Sequence, residues 1–366
     1  MTRSLAILAV LILSGGSIAA QEVEWQHAYG ADGRNHHPTA IAGAPDGSLF
    51  VAGTSTAPGL SGTAPEFWLW KIDPTGKLVQ QSAIAAGAEQ DRINPSVAHI
   101  QDIVLTEGGG ALVVEFVLGD PYYVAFDANA RVLLTKRLEI PGRRRIYVHR
   151  FFAERRGTVL AVGAADGRAF LMRIDAAGKV VWSDRPAVAD FLTDGAMLAD
   201  GSFVTVGYTR EKEDEFTLTY FLADGTIGKN VPHKGRRASI AAVAGGLVLV
   251  YDRAAGDDRD IHIATVKDGV LSGDVAVPPI LLAPYRVAQI VGNRHLIGAT
   301  TEDNTVAVMV YRDGEVISLH ENDPKAEPQH WSLERLNSAP AAALTTVYAG
   351  GRPLTTKVGI IRFKEN

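Results

Sequence analysis

Residues 66–73 read EFWLWKID, a short apolar run that ends at an aspartate, and this kind of segment returns five more times along the chain. The later copies are YYVAFDAN from Tyr122, RAFLMRID from Arg168, FTLTYFLADG from Phe216, DIHIATVKDG from Asp260 and TVAVMVYRDG from Thr305. The aspartates Asp73, Asp127, Asp175, Asp224, Asp268 and Asp313 are therefore separated by 54, 48, 49, 44 and 45 residues. This period indicates a repeat architecture in which each unit is one supersecondary structure.

Each unit contains further strand-like segments around that marker. An apolar run such as GSLFVAGT or GTVLAVGA precedes it, and a more polar run such as KLVQQSAI follows it. A first strand, such as HIQDIVLT from His99, begins the unit. Four strands joined by tight turns predict the antiparallel blade of a β-propeller. The two middle strands are continuously apolar, as expected of strands that neighbouring blades cover on both faces.

The chain ends indicate how the ring closes. The last unit begins near Trp331 and has three strands, whereas EVEWQHAYG from Glu22 is a strand without a unit. Pairing the two would remove a free sheet edge. We therefore predict an all-β fold, a seven-bladed β-propeller of four-stranded antiparallel blades whose last blade is completed by the N-terminal strand. Six blades, eight blades or a tandem β-sandwich are the alternatives. The predicted blades are residues 34–84, 95–140, 146–187, 190–233, 237–278, 285–323, and 331–366 together with 22–30.

The first twenty residues have the pattern of an export signal. Arg3 precedes an unbroken run of nine apolar residues, LAILAVLIL, and small residues follow at Ser17, Ala19 and Ala20. Nine residues are too few for a membrane span, which needs roughly 20. We predict a signal peptide over residues 1–20, cleaved after Ala19 or Ala20. The propeller of residues 21–366 is then expected in the bacterial periplasm or outside the cell, without a membrane span.

The composition narrows the classes of partner. The formal net charge of −5 gives no reason to expect nucleic acid as a ligand. There is no cysteine, so the chain cannot form disulfides. Acidic stretches such as EKEDE from Glu211 match no calcium-loop spacing, and we expect neither a metal nor a cofactor. We expect a monomer.

Two of the repeats resemble a known group of proteins. FWLWKIDPTGKLV from Phe67 and FLMRIDAAGKVVW from Phe170 are similar to repeats of exported bacterial propellers of the YVTN and PQQ-like type. The resemblance extends over essentially the whole mature chain and implies the fold. The stretch from Asp175 to Trp182 also resembles the tryptophan-docking repeats of quinoprotein dehydrogenases. Only one unit has this tryptophan and the chain has no cysteine pair, so the resemblance implies neither their cofactor nor their activity.

The segments that lead from one unit into the next are rich in basic residues. In a propeller, they would bring side chains from several blades to the mouth of the central channel. Arginine suits bidentate recognition of carboxylate, sulfate or phosphate groups. We predict an anion-binding rim formed by Arg34, His36, His37, Arg92, Arg144, Arg236, Arg286 and Arg335.

Two functional classes are compatible with such a rim. The first is a non-enzymatic scaffold that binds an anionic small molecule, a glycan or an envelope protein. The second is a lyase or hydrolase acting on an anionic polysaccharide, with His36, His37 or Tyr285 transferring the proton. No catalytic motif is visible in the sequence, and this favours the scaffold.

Overall fold

The computed structural model describes residues 19–20, 22–30, 33–57, 65–85, 98–117, 120–140, 142, 145–154, 157–184, 189–212, 214–243, 246–255, 258–277, 286–289, 294–300, 306–312, 315–321, 330–337, 340–349 and 355–364. The export signal, apart from Ala19–Ala20, lies outside them. The elements within them are β-strands. Within this described part of the chain, no helix is long and apolar enough to cross a bilayer.

The first four sheets each consist of four consecutive antiparallel strands. Sheet 1 follows two short N-terminal strands, β1 (Ala19–Ala20) and β2 (Val23–Tyr29). Its strands are β3 (Asn35–Gly43), β4 (Leu49–Thr56), β5 (Glu66–Ile72) and β6 (Leu78–Ile84). Sheet 2 is β7 (His99–Thr106), β8 (Gly109–Val117), β9 (Asp120–Asp127) and β10 (Val132–Arg137). Sheet 3 is β11 (Ile146–Ala153), β12 (Val159–Ala165), β13 (Arg168–Ile174) and β14 (Val180–Asp184). Sheet 4 is β15 (Phe191–Met197), β16 (Phe203–Tyr208), β17 (Glu215–Phe221) and β18 (Ile227–Lys234).

The remaining strands form three more sheets. Sheet 5 is β19 (Arg236–Val243), β20 (Gly246–Ala255), β21 (Asp258–Lys267) and β22 (Val270–Val277). Sheet 6 is β23 (Arg286–Gln289), β24 (Arg294–Thr300), β25 (Val306–Arg312) and β26 (Glu315–Glu321), with β1 paired to β26. Sheet 7 is β27 (His330–Asn337), β28 (Ala342–Ala349) and β29 (Thr355–Phe363), with β2 as its outer strand.

The N-terminal strand completes the last sheet, as the unpaired strand in the sequence predicted. β2 runs antiparallel to β29, with Tyr29 opposite Val358 and Val23 opposite Phe363. The first strands of the sheets also contact one another in a closed series, β3–β7–β11–β15–β19–β23–β27–β3. The prediction of an all-β propeller of four-stranded antiparallel blades is confirmed, and these first strands line its central channel. The described strands fall into seven sheets, which supports the predicted number of blades.

The apolar core lies between the blades. The described core clusters each join side chains of two neighbouring sheets, as when Phe67 of β5 packs edge-on against Phe116 of β8 with ring centroids 4.8 Å apart. Trp68 and Trp70 stack at 4.1 Å on the opposite side of sheet 1 and pack with residues of sheet 7. Because both faces of each middle strand are covered, the sequence of these strands is continuously apolar.

The recurring aspartate closes the turn between the third and fourth strands. Asp73 Oδ1 accepts the N–H groups of Thr75 and Lys77 at 2.9 and 3.0 Å, and Asp175 Oδ1 does the same for Ala177 and Lys179 at 3.0 and 2.9 Å. An aspartate that bonds backbone groups ahead of it stabilises a tight turn without help from other strands. Asp127 and Asp224 accept backbone N–H groups of their turns in the same way, and this local role explains why the residue recurs.

Among the described residues, these turns also hold five of the blades to the preceding one. A basic side chain of one sheet donates to a backbone carbonyl in the turn of the next sheet. The donor–acceptor pairs are Lys71 to Ala128 (2.8 Å), Lys136 to Ala177 (3.5 Å), Arg173 to Ala223 (2.8 Å), Lys229 to Asp268 (2.7 Å) and Arg362 to Pro74 (3.4 Å). The propeller is therefore joined around its perimeter by polar contacts as well as by apolar packing.

Candidate functional site

The channel wall is shaped by a β-bulge that recurs in the first strand of the blades. The pairing of first and second strands shifts register between Pro38 and Ala40, Ile100 and Asp102, Val148 and Arg150, Leu192 and Asp194, Arg236 and Ser239, and Leu333 and Arg335. A bulge leaves an extra residue unpaired and redirects the side chains beside it. The polar residues at the bulges are therefore brought together from different blades.

An ionic belt joins four of these positions. Arg150 of sheet 3 lies between two carboxylates, with Nη1 3.4 Å from Asp102 Oδ1 and Nε 2.9 Å from Asp194 Oδ1. The Nε–H is not aimed at Asp194, so this contact is an ion pair rather than a linear hydrogen bond. Asp194 also accepts the hydroxyl of Ser239 at 2.9 Å. The charge of Asp102 raises the pKa of Arg150, which holds the guanidinium in its charged form.

The same carboxylates bond the backbone of the following blade. Asp102 Oδ2 accepts the N–H of Phe151 at 2.9 Å, and Asp194 Oδ2 accepts the N–H of Ile240 at 3.1 Å. On the other side of the channel, Arg335 donates to the carbonyls of Thr39 and Gln101, both at 3.2 Å. The belt therefore fixes the relative positions of the inner strands.

A cavity of about 580 Å³ opens beside the belt, within the roughly 300–1,000 Å³ typical of small-molecule sites. Most of its lining comes from sheets 4 and 5, and first-strand residues of sheets 2, 3 and 7 complete it, so it opens onto the central channel. The lining residues are Gln101, His149, Arg150, Phe191, Thr193, Asp194, Tyr208, Thr209, Arg210, Lys212, Arg236, Arg237, Ala238, Ser239, Arg335 and Leu336.

The charge of the lining is strongly positive, although the protein as a whole carries a formal charge of −5. Six lining side chains are cationic and one, Asp194, is a carboxylate. The belt neutralises Arg150, and Lys212 pairs with Glu215 at 2.5 Å. The basic cluster on one side of the cavity consists of Lys212 together with Arg210, Arg236 and Arg237. Cations concentrated on one wall of a cleft attract anions and raise their local concentration.

Two arginines of this cluster form ion pairs that are longer than a hydrogen bond. Arg236 Nε is 3.9 Å from an oxygen of Asp214, and Arg237 Nη1 is 3.8 Å from an oxygen of the buried Asp252. Arg237 also has φ = 51°, in the left-handed region that is unfavourable for a residue with a long side chain. Such backbone strain is concentrated at functional sites, where the surrounding structure maintains it.

An aromatic wall stands beside the basic cluster. The rings of Phe191 and Tyr208 are stacked, with centroids 6.1 Å apart and planes inclined by 26°. The Tyr208 hydroxyl accepts the N–H of Ala238, which anchors the ring to the start of β19. Burial raises the pKa of Tyr208, so its hydroxyl stays protonated in the physiological range. The site therefore combines cations with an apolar surface.

His149 is the titratable base that faces the cavity. It occupies the bulge of β11 next to Arg150, and burial lowers the pKa of its imidazole. The ring is therefore neutral at pH 7 and can accept a proton or a hydrogen bond. Among the described residues, no group of three or more metal-binding side chains is placed to hold a metal ion.

The eight residues of the predicted rim lie in different environments. Arg236 and Arg335 both line the cavity. Arg34 forms an ion pair with Glu66 at 2.9 Å, and His37 is exposed. Arg286 begins β23, but its side chain is outside the described part of the structure. Residues 92 and 144 of the predicted rim, and residue 285 of the predicted proton transfer, also lie outside it. The rim as a complete set stays a prediction.

His36 is a buried residue of the blade interior. It is 4% exposed and packs against Trp68 and Trp70, with ring centroids 6.3 and 5.6 Å away. Neither ring nitrogen has a hydrogen-bond partner among the described residues, and burial is the main cause that lowers its pKa. Gly30, which follows the closing strand β2, lies directly against this ring.

The sequence interpretation did not identify His149, Arg150, Asp194 or the aromatic wall. A signal for the belt was nevertheless present. Asp102, Arg150, Asp194 and Ser239 are 48, 44 and 45 residues apart, which is the period of the turn aspartates. Polar residues at one repeat position in an otherwise apolar first strand indicate a shared location on the channel.

No family model matches this chain, and no curated protein is detectably similar to it in sequence. Solved structures of β-propeller proteins match it over nearly the whole chain. Virginiamycin B lyase from Staphylococcus aureus, a catalytically inactive variant with quinupristin, is 10% identical, with a TM-score of 0.56 and coverage of 92% of this chain and 99% of the lyase. The Pan2 WD40 domain from Neurospora crassa is 9% identical, with a TM-score of 0.56 and coverage of 94% and 96%.

A third similar structure is Sqt1 from Chaetomium thermophilum bound to the N-terminus of a ribosomal protein. It is 14% identical, with a TM-score of 0.51 and coverage of 94% of this chain and all of that one. These proteins differ widely in function, as expected of a fold that serves many activities. The likeness therefore shows the fold alone.

Proposed function

We propose that the protein is a binding scaffold that takes an anionic ligand, either a small molecule or an acidic group of a partner, in this cavity. The observation that carries the proposal is the convergence of six cationic side chains on one lining, two of which, Arg236 and Arg237, form only long ion pairs of 3.9 and 3.8 Å. Guanidinium groups that converge on one opening repel one another, and a bound anion relieves this repulsion.

Binding of small anions tests this function directly. Isothermal titration with citrate, pyrophosphate and sulfate should give binding that weakens as sodium chloride is raised to about 0.3 M. The double variant Arg236→Ala/Arg237→Ala should bind about 100- to 10,000-fold more weakly, because each charge-assisted hydrogen bond contributes roughly 1.5–3 kcal/mol and two are removed. The matched control is Arg131→Ala/Lys179→Ala, which removes two exposed charges outside the cavity. Equal affinities for the two double variants would contradict the proposal.

A lyase or hydrolase acting on an anionic polysaccharide is the second candidate. His149 favours it, because its imidazole faces the cavity and is neutral at pH 7, which is the form that can accept a proton. An enzyme of this kind should release shortened chains from an acidic polysaccharide and lose this activity in His149→Ala. A scaffold should bind the polysaccharide and leave its chain length unchanged.

We also propose that the protein is exported. The N-terminal signal pattern and the resemblance of the repeats to exported bacterial propellers of the YVTN and PQQ-like type support this location. N-terminal sequencing of the mature protein should begin at Ala20 or Gln21. Recovery of the uncleaved chain in the inner membrane would contradict export with cleavage.

A further inference from the structure

The lining of the cavity includes aromatic and neutral polar side chains as well as cations. These side chains indicate the kind of anion that fits. We infer that the ligand is an acidic sugar, a pyranose ring that carries a carboxylate. This inference rests on the proposed function and adds the class of ligand. Three groups of side chains carry it: the aromatic wall, the basic cluster, and the neutral polar residues between them.

The aromatic wall accounts for the ring. Phe191 and Tyr208 are both only partly buried and both line the cavity, so a flat apolar surface faces the ligand. A site for an inorganic anion needs no such surface, since burying an aromatic face against a hydrated ion gains nothing. One face of a pyranose ring consists of C–H groups and packs well on an aromatic ring. The Ala238 contact holds Tyr208 in place before any ligand arrives.

The basic cluster accounts for the carboxylate. Arg236 and Arg237 are consecutive residues at the bulge of β19, and Arg210 and Lys212 follow the end of β16. Guanidinium donors form a planar fork that matches the two oxygens of a carboxylate. Arg236 pairs with Asp214 at 3.9 Å and Arg237 with Asp252 at 3.8 Å. A carboxylate of the ligand would therefore compete with ion pairs that are longer than a hydrogen bond.

The neutral polar residues account for the hydroxyls. Thr193, Thr209 and Gln101 line the cavity, and these side chains can donate to a hydroxyl or accept from it. Thr193 has a long contact of 3.5 Å with the carbonyl of Val206, so little is lost when it turns to a ligand. The volume of about 580 Å³ exceeds what one sugar ring fills, and a short oligomer therefore suits the site better than a single residue.

Titration calorimetry with four probes separates the charge of the ligand from its ring. We expect trigalacturonic acid to bind at least 10-fold more tightly than citrate, which has carboxylates but no ring. Maltotriose, which has rings but no charge, should bind at least 100-fold more weakly than trigalacturonic acid. ATP serves as an anion with a different ring system, and tighter binding of ATP would overturn the sugar assignment.

Two variants of the aromatic wall test the role of the ring. Phe191→Ala should weaken trigalacturonic acid about 10-fold and leave citrate unchanged. Phe191→Leu keeps most of the apolar volume, so it should fold even if the alanine variant does not. Leucine has no flat face, so this variant should also bind trigalacturonic acid more weakly and citrate equally well. Equal affinity for citrate and trigalacturonic acid in the parent, or unchanged sugar binding in both variants, would overturn the inference while leaving anion binding intact. Failure of every anion to bind would remove the proposed function as well.

Discussion

Replacing Gly225 by alanine should destabilise the propeller much more than the same change at Gly201. Both glycines occupy left-handed turn conformations, with φ = 91° and 85°, and each donates its N–H to the residue three positions earlier. A Cβ at Gly225 would lie 2.5 Å from Cζ2 of Trp182 in the neighbouring blade, whereas a Cβ at Gly201 would meet nothing closer than Ala223, at 3.7 Å. The two positions therefore differ mainly in their contact between blades.

The magnitude follows from two separate costs. A left-handed conformation costs a residue with a Cβ roughly 1–2 kcal/mol, and this cost applies to both variants. Gly225→Ala must also displace Trp182, which holds a cation–π contact with Arg173 at 5.2 Å. Overpacking typically costs about 1–3 kcal/mol more. We therefore expect a loss of about 1–2 kcal/mol in the free energy of unfolding for Gly201→Ala and about 2–5 kcal/mol for Gly225→Ala.

Urea denaturation of the two variants, in the parent and in a Trp182→Ala background, measures this difference. Without the tryptophan, both alanine substitutions should cost the same. If Gly225→Ala and Gly201→Ala are equally destabilising in the parent, the turn at Gly225 does not pack closely on Trp182 of the preceding blade, and our explanation of the difference is wrong.

Two further predictions concern the ring closure and its buried histidine. Deleting residues 21–30 exposes the edge of β29. The melting temperature should therefore fall, and size-exclusion chromatography should show oligomers. A truncated protein that stays monomeric and as stable as the parent would contradict the closure. Burial lowers the pKa of His36 below its value in the unfolded chain, so the unfolded chain takes up more protons. The free energy of unfolding should therefore decrease as the pH falls below about 6.5. His36→Phe should make the melting temperature less dependent on pH between about 5 and 7. The same pH dependence in parent and variant would show that His36 does not contribute to the pH dependence of stability.

The repeat and its closure could be predicted from the sequence because both depend on local chemistry. Four turn aspartates, Asp73, Asp127, Asp175 and Asp224, accept backbone N–H groups of their own turns. The middle strands are apolar because two neighbouring blades cover them. The closure could be predicted because the N-terminal strand belongs to no unit and the last unit lacks its fourth strand. These features need no knowledge of where one blade lies relative to another.

The cavity was harder to predict because side-chain direction depends on register. A bulge moves a residue from one face of a strand to the other, and no residue type marks it in the sequence. Arg34 and Arg236 lie at similar positions before a first strand, yet Arg34 pairs with Glu66 while Arg236 faces the cavity. Phe191 and Tyr208 are directly opposite each other in β15 and β16, so their contact depends on the register of that strand pair.

Anomalous diffraction from crystals soaked in selenate would test the central claim, that the cavity holds an anion, most directly. Selenate is a tetrahedral dianion, and the selenium signal locates it without reference to the protein density. We predict a peak within hydrogen-bonding distance of Arg236 and Arg237, in the cavity bounded by Phe191 and Tyr208. The peak should be absent in Arg236→Ala/Arg237→Ala. Selenate bound only at the outer surface, with none in the cavity of the parent protein, would contradict the account.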